Sequence, residues 1–121
     1  MAEPKFLILC VDDEATPLVL RKVLLQKAGY DVITASSADE ALEMAGAHDV
    51  DLVLSDYLMP GTTGTELAQK MKLQFPHLPV VLLSGVNEIP MGADIADAFL
   101  SKIEGPERLC QQIANVLSER S

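Results

Sequence analysis

Cysteine, basic residues and long apolar runs are all scarce in this sequence, and each scarcity excludes something. Only Cys10 and Cys110 occur, far apart in the chain and each within an apolar stretch. That placement reads as two free thiols rather than a disulfide framework or a metal site. Basic residues number 9 against 18 acidic ones, for a formal net charge of −9. Such a surface repels phosphate backbones and anionic bilayers, which speaks against direct contact with nucleic acid or membrane. No apolar run approaches the roughly 20 residues a membrane-spanning helix needs. Met1-Ala2-Glu3-Pro4-Lys5 lacks the positive-then-apolar layout of a secretory signal. The expectation is a cytoplasmic protein.

What is present is enough apolar material for one packed core. Hydrophobic residues make up 49% of 121 positions, which fits a single domain over residues 1–121 with a core from about 5 to 118. Short apolar runs alternate with amphipathic ones. Phe6-Leu7-Ile8-Leu9-Cys10-Val11, Leu52-Val53-Leu54-Ser55 and Val80-Val81-Leu82-Leu83 are nearly continuous, as strands buried on both faces should be. Tyr30 to Ala35 and Ala98-Phe99-Leu100-Ser101 are weaker and are expected nearer the sheet edges.

Helical periodicity fills the intervals. Thr16-Pro17 predicts a cap and a first helical position, opening a helix that buries Leu20, Leu24 and Ala28 before Gly29 ends it. Ser37-Ala38-Asp39-Glu40 and Thr63-Gly64-Thr65-Glu66 are capping boxes. The first leads to Ala41, Leu42 and Ala45, the second to Leu67, Met71 and Phe75. Gly105-Pro106 starts a last helix with Leu109, Ile113, Val116 and Leu117 inward. Between Ser84 and Lys102, Pro90 and Gly92 leave room for at most two turns, the least stable element of the chain. Strands joined by single helices predict right-handed crossovers and a parallel α/β sheet covered on both faces. Five strands suit a flavodoxin-like doubly wound domain of order 2-1-3-4-5, with a short fourth helix.

In such a sheet, functional groups gather where the strands end. Asp12, Asp13 and Glu14 follow the first apolar run, Asp56 the third, Ser84 the fourth and Lys102 the fifth. Taken singly, each is an ordinary cap, turn or surface residue; their convergence on one sheet edge gives them meaning. Clustered carboxylates repel unless a cation intervenes, and all-oxygen ligands without His or Cys favour magnesium. His48 and His77 fall near helix-to-strand connections on the opposite side and are expected to face solvent. A carboxylate beside Mg²⁺ and an ammonium suits phosphoryl transfer, where catalysis is positioning and charge neutralisation. Asp56 is the candidate nucleophile, with the cation, Lys102 and the Ser84 hydroxyl each taking one phosphoryl oxygen.

The chain resembles the response-regulator receiver family from Lys5 to about Ser118. The matching motifs are Val11-Asp12-Asp13-Glu14, Ser55-Asp56-Tyr57-Leu58-Met59-Pro60 with Gly64 eight residues after the aspartate, Leu83-Ser84-Gly85, and Phe99-Leu100-Ser101-Lys102. The resemblance implies that Asp56 is the phosphoacceptor and that Asp12, Asp13, Asp56 and the Leu58 carbonyl hold Mg²⁺, for which Mn²⁺ can substitute. Ser84 and Lys102 would bind the phosphoryl group. Ser84 and Phe99 would then switch inward, reshaping the face of the fourth helix, fifth strand and fifth helix. Implied partners are a histidine kinase or phosphotransfer protein and a downstream protein. The implied role is a signalling phosphoacceptor that assists its own phosphorylation and dephosphorylation, not an enzyme.

Three features depart from the family pattern. Ile103 stands where proline usually follows the lysine, which predicts a trans Lys102–Ile103 bond, because cis before a non-proline residue costs about 3 kcal/mol. The stretch from Ser84 to Lys102 is about four residues shorter than usual. Leu58 and Val86, flanking the site, are both apolar, which predicts slow hydrolysis of the phosphoaspartate. Three alternatives stay open: a pseudo-receiver that binds proteins without phosphorylation, a flavin carrier and an aspartate-nucleophile phosphohydrolase. The acidic first loop opposes the flavin carrier, since it would repel a cofactor phosphate. The absence of Asp-x-Asp on the first strand and of a cap domain opposes the phosphohydrolase. Whether the chain acts alone or within a longer protein also stays open.

Overall fold

The computed structural model describes residues 5–59, 61–85 and 96–120. In chain order its elements are β1 (Leu7–Val11), α1 (Ala15–Lys27), β2 (Asp31–Ala35), α2 (Ala38–Ala47), β3 (Leu52–Asp56), β4 (Leu58–Met59), β5 (Thr62–Thr63), α3 (Gly64–Gln74), β6 (Val80–Ser84), β7 (Ala98–Ser101), a 3-10 turn (Lys102–Glu104) and α4 (Gly105–Arg120). Five strands form one parallel sheet in the order β2-β1-β3-β6-β7. The antiparallel ribbon β4–β5 stands apart from it. Counting only sheet strands, the order is the expected 2-1-3-4-5 of a flavodoxin-like fold, and the two weaker runs, β2 and β7, are the edges.

Alternation along each strand sends side chains to two separate cores. Leu9, Val11, Val53, Val80 and Leu82 face α2 and α3, meeting Ala41, Leu67 and Met71. Ile8, Cys10, Leu54, Val81 and Leu100 face α1 and α4, meeting Leu25, Ile113 and Leu117. Small residues on α2 let that helix lie close to the sheet. Both N-caps form: Ser37 Oγ accepts from Glu40 N and Thr63 Oγ1 from Glu66 N, each at 3.1 Å, and Glu40 Oε1 reaches back to Ser36 N rather than to Ser37 N. Cys10 is a free, buried thiol whose pKa desolvation pushes up to about 12, leaving it inert. Cys110 is also free.

Helix α1 differs from its sequence-based expectation. It starts at Ala15, capped by Glu14 rather than Thr16. The start is set by Asp12, whose Oδ1 accepts from Glu14 N at 3.0 Å and turns the chain out of β1. The first helical bond is Leu18 N to Glu14 O, so Pro17 sits in the first turn, where its missing N–H costs nothing. The buried face is Leu18 and Leu25, with Arg21 between them. Leu20 is 64% exposed, Ala28 is exposed and Leu24 only partly buried. The leucine pattern misled because it assigned a charged residue to solvent, whereas Arg21 turns inward to a carboxylate.

The expected short fourth helix, with Pro90 and Gly92, lies outside the described residues, as do Val86 and the Leu58 side chain. No peptide bond among the described residues is cis, so Lys102–Ile103 is trans. Among the described residues no helix is long and apolar enough to cross a membrane.

Candidate functional site

Buried polar residues concentrate where the strands end. Asp12, Ser55, Asp56 and Ser84 are all buried there, at the last residues of β1, β3 and β6 or directly after them. Parallel pairing sets them side by side: Val11 lies opposite Ser55, Asp56 opposite Leu83, and Ser84 opposite Ser101. Lys102 follows β7 at once and begins the 3-10 turn, which brings it to the same edge.

Asp12 is 2% and Asp56 6% exposed, while Asp13 is exposed. One carboxylate oxygen from each lies within 4.8 Å of the other two. Glu14, the remaining acidic residue of that loop, is exposed and heads α1 instead. Lys102 Nζ lies 2.5 Å from Asp56 Oδ1. This contact is electrostatic rather than well directed, since Oδ1 is buried and no donor among the described residues meets it with hydrogen-bond geometry. Burial holds the Asp56 carboxyl above the usual carboxylate range; Lys102 draws it down by contact and charge, Asp12 pushes it up, and Arg21 lowers it.

The loop after Asp56 is fixed by close backbone packing. Tyr57 N donates to Leu83 O at 2.7 Å, and Gly64 N donates to Tyr57 O at 2.6 Å. A Cβ on Gly64 would stand 2.6 Å from Asp56 O and 2.9 Å from Leu82 Cδ2. Glycine is needed there because the start of α3 presses directly on the strand that carries Asp56. The ribbon β4–β5 pairs Leu58 with Thr63. Phe99 is partly buried and meets the Tyr57 ring edge-on, with centroids 5.7 Å apart and planes at 67°. A ring on the last strand thus touches the residue next to Asp56.

The donor set fits a hard divalent cation. Three carboxylates supply oxygen only, and no His or Cys joins the cluster. His48 and His77 are exposed near helix-to-strand connections, as expected.

Sequence reasoning missed Arg21. Its Nη1 donates to Asp12 Oδ2 at 2.8 Å, and its side chain is only 13% exposed. A signal was available: positions 18, 21 and 25 share one helical face.

Comparison with known proteins adds an independent finding. The sequence model of the response regulator receiver domain matches residues 8–114. The alkaline phosphatase synthesis transcriptional regulatory protein PhoP of Bacillus subtilis is 32% identical over 114 residues, which cover 91% of this chain and 48% of that protein. The autoinducer 1 sensor kinase/phosphatase LuxN of Vibrio campbellii is 30% identical, across 94% of this chain and 14% of its own. The chain spans about half the length, or less, of such relatives. Among solved structures, a CheY-like receiver domain protein of Methanospirillum hungatei superposes with a TM-score of 0.88 at 29% identity, covering 97% of each chain. TrrA of Thermotoga maritima, solved in complex with Mg(2+)-BeF, gives 0.84 at 29% identity, over 91% of this chain and 97% of that one.

Proposed function

The chain belongs to the response-regulator receiver family of two-component signalling, and from that premise we propose that Asp56 accepts a phosphoryl group from a histidine kinase or phosphotransfer protein. Receiver domains act as signalling phosphoacceptors rather than as enzymes in the ordinary sense, and they work between histidine kinases and downstream effectors. The observation that carries the assignment is the convergence of the Asp12, Asp13 and Asp56 oxygens within 4.8 Å, with Lys102 on Asp56. Residues 1–121 are read as one such domain.

Asp12, Asp13, Asp56 and the Leu58 carbonyl would hold Mg²⁺, with Mn²⁺ able to substitute. When bound, the cation supplies charge neutralisation on a phosphoryl oxygen. Asp56 attacks phosphorus, forming a P–O bond as the donor's P–N bond breaks, and the leaving imidazole takes up a proton. Lys102 leaves its contact with the free carboxylate and neutralises a phosphoryl oxygen. The Ser84 hydroxyl, at the end of β6 beside β7, donates to another. Phe99 then follows Ser84 inward, a movement coupled to Asp56 through its edge contact with Tyr57. The outcome is a population shift toward a surface, built from β7, α4 and the preceding segment, that a downstream protein binds.

Incubation with a small phosphodonor and Mg²⁺, followed by intact mass, tests the proposal. Wild-type protein is expected to gain one phosphoryl group and Asp56→Asn none. No gain in the wild type would instead support a binding module that works without phosphorylation.

A further inference from the structure

Arg21 lies within the acidic site without belonging to its phosphoryl chemistry. Its guanidinium holds Asp12 Oδ2 at 2.8 Å, and the other Asp12 oxygen already accepts from Glu14 N. Both oxygens of the buried Asp12 are therefore engaged by groups of the chain itself. Three carboxylates against two basic groups, Arg21 and Lys102, leave the cluster with one net negative charge. A divalent cation is best balanced by two.

We propose that Arg21 is a built-in competitor of the divalent cation, occupying Asp12 in the metal-free domain and setting how much Mg²⁺ is needed to load the site. The inference rests on the phosphoacceptor reading of Asp56 and its neighbours. Two positive species cannot share one buried carboxylate without mutual repulsion, so cation entry weakens or breaks the Arg21 contact. The structure also offers the displaced side chain a place to go. Arg21 lines an open cavity of about 370 Å³ between α1 and α4, walled by Leu20, Leu24 and Leu109 and bearing Glu104 on its rim. Glu104 is exposed; its Oε1 lies in a 3.7 Å ion pair with Arg108, and its Oε2 accepts from Ser101 N. A guanidinium leaving Asp12 can turn into that groove and face a carboxylate there. Loading the cation would thus alter the groove between the first and last helices before any phosphoryl group arrives.

Mg²⁺ titration of the full chain, followed by calorimetry or amide chemical shifts, tests this without reference to phosphorylation. Arg21→Met, which keeps an apolar stem on the inner face of α1, is expected to bind Mg²⁺ about tenfold more tightly than wild type. Arg21→Lys, which keeps the charge, is expected to stay within about twofold of wild type. A parallel measurement guards against a folding defect: Mg²⁺ should raise the thermal midpoint more in Arg21→Met than in wild type, because metal-free Asp12 has lost its partner. Equal or weaker binding by Arg21→Met, beside a wild type that binds, would overturn the competition alone. A lysine variant as tight as the methionine one would overturn charge as its cause. Failure of all three proteins to bind Mg²⁺ at millimolar concentration would overturn the phosphoacceptor reading as well.

Discussion

At the scale of single residues, the site is a set of groups that are costly to bury, held where they can be useful. Asp56 is the clearest case. Burial raises its carboxyl above the usual range, so the folded domain holds that proton more tightly than the unfolded chain does. That preference lowers stability once the pH rises through the raised value. It vanishes below the ordinary carboxylate range, where folded and unfolded chains are both protonated. Asp56→Asn is therefore expected to raise the thermal midpoint of the metal-free protein at neutral pH, with a gain that shrinks on acidification. A pH series of thermal unfolding curves checks this, and a variant less stable than wild type at neutral pH would contradict it. Gly64→Ala presses a methyl group on Asp56 O and Leu82 and should cost about 1–3 kcal/mol in denaturant unfolding. Most of these residues were legible in the chain because each follows an apolar run directly. Arg21 was not, because its partner Asp12 is nine positions away and only the helix brings them together.

At the scale of elements, strands and caps follow local rules, and α1 shows where such rules stop. Ser37 and Thr63 announce α2 and α3, and both form the expected bonds. Replacing Ser37 by Ala should lower stability by about 1 kcal/mol while leaving Mg²⁺ affinity unchanged, as unfolding and titration together would show. Thr16-Pro17 looked like an equally good helix start, but the Asp12 side chain bends the chain earlier. One local signal, the Asp12 side chain on Glu14 N, displaced another by two residues, while the inward turn of Arg21 to Asp12 goes with a buried face of Leu18 and Leu25. The far edge of the sheet has its own fastening, which sequence reasoning did not foresee. Asp97 Oδ2 accepts from Val80 N at 2.7 Å and from Lys72 Nζ at 2.6 Å, tying β6 and α3 to the segment entering β7. Nothing in an exposed Asp before an apolar run reveals such a clamp. Asp97→Ala should destabilise the fold by about 1–3 kcal/mol in chemical unfolding. Phosphorylation of Asp56 should continue in that variant, since the clamp lies at the opposite ends of the strands.

At the scale of the whole molecule, the same alternation that fixes strand order also fixes where chemistry can occur. Parallel strands all end at one edge, so residues separated by up to ninety positions, Asp12 and Lys102, come to line a single crevice. Fold order and crevice were both readable because each depends on counting apolar runs. The α1 start and the ribbon β4–β5 were not, because no apolar run marks either: the first is set by the Asp12 side chain on Glu14 N and the second by a two-residue pairing across Pro60-Gly61. The acidic excess, 18 residues against 9, keeps the surface negative, so a cation is drawn in readily and an anionic phosphodonor needs that cation in place. The most direct measurement of that account is to locate the phosphoryl group. After treatment with a phosphodonor, the acylphosphate is reduced with borohydride and the modified peptide mapped, with Mg²⁺ present or chelated. Modification confined to Asp56 and abolished by chelation is the predicted result; modification elsewhere, or at Asp56 irrespective of the cation, would contradict it.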